Sequence, residues 1–160
     1  MIDTGDRLPE AKLLLAKPDE TSEVALSEFM AGRRVVLFGV PGAFTPTCDS
    51  AHLPSFIANA DALRKKGIDA IACVSVNDAH VMRRWGEATG AHEAGIDMLA
   101  DPLAELTKAL GVTYSNHAVG MHDRSRRYAM VVDDCVVNVL HLEEKGLCTI
   151  SKAGDILELL

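Results

Sequence analysis

Apolar and polar positions alternate along this chain with two different rhythms. Arg33-Arg34-Val35-Val36-Leu37-Phe38-Gly39 is almost continuously apolar after its two arginines, and Ile68 to Val76 is a second such run. Short unbroken runs rich in β-branched residues suit strands covered on both faces, so these two are expected at the centre of a sheet. Between them, from Thr45 to Lys66, residues Leu53, Phe56, Ile57, Ala60 and Leu63 recur at helical spacing and Gly67 supplies a stop; the pattern predicts a long helix bent near Pro54. Asn77-Asp78 starts a further helix through Met82, Trp85 and Ala88, and Asp101-Pro102 a short one through Leu103, Leu106 and Leu110 before Gly111. Tyr128–Val132 and Val136–Leu142 read as an antiparallel hairpin around Asp133-Asp134, after which Ser151 caps a closing helix through Ile156, Leu157 and Leu160. The stretch from Tyr114 to Arg126 has little periodicity and is the longest expected loop, the kind of segment that carries function. Strands alternating with helices give an α/β fold, a mixed central sheet flanked by helices in one domain over residues 1–160.

Composition narrows the function. Of 160 residues, 48% are hydrophobic, enough for a substantial core. Lys and Arg number 16 against 23 Asp and Glu, a formal charge of −7 that opposes binding to nucleic acid or anionic membranes. The opening Met1-Ile2-Asp3-Thr4-Gly5-Asp6 lacks the basic start and apolar stretch of a signal peptide, and a cytoplasmic protein is expected. Four cysteines, Cys48, Cys73, Cys135 and Cys148, are too few and too far apart for a disulfide framework. No Cys-x-x-Cys pair is present, and only His117 and His122 form a loose pair, so a structural metal site is not expected.

Chemistry concentrates where the first central strand ends. Pro41-Gly42-Ala43-Phe44-Thr45-Pro46-Thr47-Cys48 is a turn that places Thr45 as N-cap, Pro46 as first helical residue and Cys48 in the first turn. There the free amides and the positive end of the helix dipole favour thiolate over thiol. Lowering a thiol pKa from about 8.5 to about 6 raises the ionised fraction at pH 7 only about thirtyfold, while nucleophilicity falls. A fast thiol therefore needs further groups to receive charge on a departing oxygen. Thr45 can offer its hydroxyl, and Arg124, Arg126 and Arg127 are the candidate guanidinium donors; spacing does not choose among them.

Val40-Pro41-Gly42-Ala43-Phe44-Thr45-Pro46-Thr47-Cys48 followed by His52-Leu53-Pro54 closely resembles the active-site signature of type II peroxiredoxins, the peroxiredoxin 5 class. The resemblance continues through Cys73-Val74-Ser75-Val76-Asn77-Asp78, Val81-Met82, Trp85 and Arg127-Tyr128-Ala129-Met130-Val131-Val132 with Asp133-Asp134, and so spans most of the chain in order. It implies a thioredoxin-like fold in which Cys48 is the peroxidatic cysteine, Thr45 and Arg127 are its catalytic partners and Pro41 shields the pocket. The Cys48 thiolate would attack hydrogen peroxide or an alkyl hydroperoxide and become a sulfenic acid, restored by an external thiol reductant, glutathione with glutaredoxin or thioredoxin. His52 is expected near the pocket or in the packing behind it.

For the resolving step two internal cysteines come into question. Cys73, 25 residues after Cys48, matches the second cysteine of plant members, although Ile71-Ala72-Cys73-Val74 argues for burial; Cys148 lies about two residues from the resolving position of animal members. Direct attack by an external thiol needs neither, and Cys135 has no expected task. The resemblance also implies a homodimer joined through the 41–45 and 114–126 stretches. A thiol redox sensor or binding module with incidental turnover is the alternative reading of the same cysteine.

Overall fold

The computed structural model describes residues Met1–Leu160. In chain order its elements are strands β1 (Lys12–Ala16) and β2 (Thr21–Ala25), helix α1 (Leu26–Met30), β3 (Arg34–Val40), α2 (Leu53–Lys65), β4 (Ala70–Ser75), α3 (Ala79–Thr89), β5 (Asp97–Ala100), α4 (Glu105–Leu110), β6 (Thr113–Asn116), β7 (Met121–Ser125), β8 (Tyr128–Asp133), β9 (Val136–Leu142) and α5 (Ala153–Leu157). Seven strands form one mixed sheet in the order β2-β1-β5-β4-β3-β8-β9. The two apolar runs are β3 and β4, paired in parallel from Val35↔Ala70 to Val40↔Ser75 at the middle of that sheet, while β8 runs antiparallel along the other side of β3.

Successive residues of a central strand face opposite layers, so each apolar run feeds two cores. Val36, Phe38, Val40, Ile71 and Cys73 join Phe56, Leu63, Trp85 and Ile156 beneath α2, α3 and α5. Val35, Leu37, Ala72 and Val74 join Leu26, Met30, Leu106 and Leu110 beneath α1 and α4. Asp78 caps α3 through the Val81 N–H at 3.0 Å, and Gly90, at φ 83°, ends it. The α/β fold with a mixed sheet flanked by helices is the one expected from the patterning.

Several local expectations need correction. The 114–126 stretch is an antiparallel ribbon, β6 with β7; no alternating pattern marks it because Ser125 alone among its side chains is buried. The helix after Asp101-Pro102 starts later than expected, leaving Leu103 80% exposed. Asp101 still caps it at a distance, accepting from the Leu106 and Thr107 amides at 3.3 and 3.0 Å. Ser151 does not cap the closing helix, whose N-cap is Lys152 and which ends at Leu157. The elements β1, β2, α1 and β5 carry too short or too exposed a pattern to be read in advance.

Candidate active site

β3 delivers the chain at Val40 into the Pro41–Thr45 turn. Phe44 occupies the left-handed region at φ 62°, an uncommon conformation for a bulky residue. A side chain at Gly42 would meet the Arg124 guanidinium at 2.8 Å and the Thr45 methyl at 3.1 Å, so both would have to shift to admit anything larger than glycine. The Ala43 N–H donates to Asn77 Oδ1 at 3.0 Å, and the same oxygen accepts from the Ser75 hydroxyl at 2.6 Å, tying the turn to the end of β4.

Pro46 opens the helix as expected. The Thr45 carbonyl accepts from the Asp49 N–H at 2.9 Å, the backbone position of an N-cap. Its side chain does not cap, however: the hydroxyl donates to the Gly42 carbonyl at 2.6 Å, which leaves its oxygen lone pairs available at the pocket wall. The expected bend near Pro54 is a π-helical turn over Cys48–His52, in which the Leu53 N–H reaches back to the Cys48 carbonyl. Pro54 has no N–H to offer the carbonyl four residues back, and the helix absorbs this as a wider turn just upstream. Trp85 Nε1 donates to Asp49 Oδ1 at 2.7 Å and moors the wide turn to α3.

Cys48 is fully buried. Arg127, immediately before β8, donates from Nη1 to its sulfur at 3.3 Å and to His52 Nδ1 at 3.2 Å, while its Nε donates to the Leu147 carbonyl at 3.1 Å. The three arginines that spacing left open, of which the resemblance implied Arg127, are thus separated by contact. Arg124 donates to the Pro41 carbonyl at 3.4 Å and Arg126 to the Glu143 carbonyl at 2.7 Å, and Arg127 alone reaches the sulfur.

His52 lies behind the guanidinium, its ring edge-on to Phe38 and Phe56. Burial first, and then the neighbouring Arg127 charge, push its pKa down to about 3. The ring is therefore neutral, with Nε2–H donating to the Ser151 carbonyl at 2.9 Å and the Nδ1 lone pair accepting from Arg127. Ser151 is in turn fixed by Glu143, whose buried carboxylate accepts from the Thr149, Ile150 and Ser151 amides at 2.6, 2.7 and 2.9 Å and from both the Thr149 and Ser151 hydroxyls. Burial works against the Glu143 charge, but these hydrogen bonds, led by that from Ile150, hold its pKa below the ordinary carboxylate range. Glu143, Ser151, Asn77 and Asp49 are the site-building residues that sequence reasoning missed. Asn77 belonged to a recognised motif, but nothing in the chain around Glu143 signals its partners.

The remaining thiols are free. Cys73 is buried in β4 opposite Phe38, and burial, then the nearby Cys48, push its pKa far up. Cys148 is half-buried on the segment that contacts Arg127, its pKa raised by burial against the pull of that cation. Cys135 lies in the β8–β9 turn with its sulfur on the Ser27 carbonyl. The rings of His117 and His122 meet at 4.5 Å on the surface of the β6–β7 ribbon, and no group of three or more His, Cys, Asp or Glu side chains is arranged around a metal position. A cavity of about 180 Å³ opens beside the cysteine turn, walled by Pro41, Thr45, Thr47, Arg126 and Arg127.

The redoxin family model matches residues 3–157. Peroxiredoxin-2E-2, chloroplastic, from Oryza sativa subsp. japonica is 52% identical over 163 residues, covering 99% of this chain and 72% of that protein. The chain belongs to the peroxiredoxins. Peroxiredoxin-2E, chloroplastic, from Arabidopsis thaliana is 46% identical over 99% of this chain and 69% of its own length. Reduced Prx3 in complex with H2O2 from Vibrio vulnificus superposes with a TM-score of 0.92 at 47% identity, covering 99% of each chain. The protein is accordingly a peroxiredoxin with a thioredoxin-like fold, a thiol-dependent peroxidase of the oxidoreductase class. The cytoplasmic location expected from the sequence is overturned by the chloroplastic relatives. Widely spaced free cysteines indicate a reducing surrounding, and that property does not single out the cytoplasm.

Proposed function

We propose that this peroxiredoxin reduces hydrogen peroxide and alkyl hydroperoxides through Cys48, with Thr45 and Arg127 as catalytic partners and Pro41 as the wall that shields the pocket. The observation that carries this reading is the Arg127 Nη1 contact at 3.3 Å to a sulfur in the first turns of a helix. The Cys48 thiolate attacks the terminal oxygen of the hydroperoxide. The S–O bond forms as the O–O bond breaks, Cys48 becomes a sulfenic acid, and the departing oxygen takes up a proton and leaves as water or an alcohol. Arg127 and the Thr45 oxygen orient the peroxide, and the guanidinium stabilises charge on the leaving oxygen. The electron pair comes from sulfur, so the cycle requires neither metal nor organic cofactor.

For recycling we infer an external thiol, glutathione with glutaredoxin or thioredoxin. One thiol displaces water from the sulfenic acid to give a mixed disulfide, and a second thiol releases Cys48 and carries the disulfide away. The burial of Cys73 within the sheet supports this over an internal bridge through it, while Cys148, on the segment touching Arg127, is the internal alternative. Exposure of Phe44 (52%) and Val119 (66%) on the 41–45 and 114–126 stretches supports a homodimer through those segments. The test is steady-state peroxide consumption with each reductant: Cys48→Ser is expected to fall to the uncatalysed background, and an unchanged rate would overturn the assignment. Intact mass after one equivalent of peroxide, without reductant, distinguishes an added oxygen from the loss of two hydrogens that an internal disulfide produces.

A further inference from the structure

The cavity beside the cysteine turn gathers cations in a molecule whose formal charge is −7. Arg126, Arg127 and Lys145 line it against one carboxylate, Glu144. None of the four belongs to any of the five ion pairs in the structure. The two cations not engaged with Cys48 are held by neutral partners instead. Arg126 donates from Nη2 to the Glu143 backbone carbonyl at 2.7 Å, with Nη1 3.9 Å from the Met1 sulfur. Lys145 places its ammonium 5.2 Å from the centre of the Tyr114 ring. A carbonyl, a thioether and an aromatic face fix the direction of a cation without cancelling its charge.

We propose that Arg126 and Lys145 form a carboxylate subsite at the rim of the peroxide pocket, so that substrates carrying a carboxylate are favoured over their neutral counterparts. The inference rests on the peroxidase reading and extends it to substrate class. The same chemistry can come from either half-reaction, as the carboxylate of an organic hydroperoxide or that of a thiol reductant such as glutathione. Overall charge predicts the opposite preference, because a protein of charge −7 repels anions at long range; only a local field reverses the sign.

The first arm of the test compares kcat/KM for a short-chain alkyl hydroperoxide bearing a terminal carboxylate with that for its methyl ester, and the second compares glutathione with its dimethyl ester. At low ionic strength an acid-to-ester ratio of about five is expected in at least one arm, a size suited to exposed cations. That ratio is expected to shrink as salt is raised and to fall in Lys145→Glu. A ratio at or below one in both arms, with the esters turned over normally, would overturn the subsite and leave the peroxidase intact. Absence of turnover with every hydroperoxide would remove both. The salt series on the wild-type protein shows that the preference is electrostatic, and its fall in Lys145→Glu assigns it to the rim rather than to Arg127; an unchanged ratio in that variant would overturn the subsite.

Discussion

At the scale of single residues, Arg127 does what a point charge would not. Its planar fork reaches the Cys48 sulfur, His52 and the Leu147 carbonyl at once. Arg127→Lys keeps the charge but gives up that geometry, and kcat/KM for hydrogen peroxide is expected to fall by about 10²–10³ with the fold retained, measured by stopped-flow peroxide consumption alongside circular dichroism. His52 makes a different prediction. Its folded pKa of about 3 lies below the ordinary 6.5, so the unfolded chain takes up the proton first. The associated stability is complete above about pH 6.5 and drains away as pH falls toward 3, by up to about 1.4 kcal/mol per pH unit. Urea unfolding between pH 7 and 5.5, where most carboxylates stay ionised, should show the onset of this slope, and His52→Gln should flatten it. Cys48 was legible in the sequence because its position follows from local rules, strand, turn, proline, helix. Spacing could not choose among Arg124, Arg126 and Arg127, and only the family resemblance picked out Arg127, because the contact with the sulfur depends on how the chain between β7 and β8 is aimed.

At the scale of elements, the segment from Glu143 to Ser151 acts as a strap whose carbonyls receive Arg127 and His52 and whose amides close on one buried carboxylate. Glu143→Gln retains the shape of the side chain but loses the charge that these donors share. A loss of about 1.5–3 kcal/mol of stability is expected, with faster amide exchange over residues 147–151 and a lower kcat/KM, because the acceptors of Arg127 loosen together. Periodicity could not foresee this strap, which has no repeat. It likewise missed the β6–β7 ribbon, since a two-stranded element with a single buried side chain, the polar Ser125, has no apolar stripe to display. The long central strands were legible for the opposite reason: burial on both faces leaves a run that hardly anything else explains.

At the scale of the whole molecule, core and site share side chains. Phe38 stacks on Phe56 at 4.0 Å and meets the His52 ring at 5.2 Å. Phe38→Ala is expected to cost about 3–5 kcal/mol in denaturant unfolding and to lower peroxidase activity as well, because His52 loses the wall that orients it. The centre of the sheet and the β8–β9 hairpin were legible, whereas the packing of β8 along β3 and the places of β1, β2 and β5 come from contacts across the completed sheet that no local segment encodes. The wide turn at Cys48–His52 holds one residue more than an ordinary helical turn. Taking up that slack would turn the short Pro46–Cys48 segment, sulfur included, by about 100° around the helix axis while Phe56 and Leu63 kept their seats in the core. Such a change of pitch would break the Trp85–Asp49 bond and carry the proposed nucleophile outward, toward a reductant too bulky to come in.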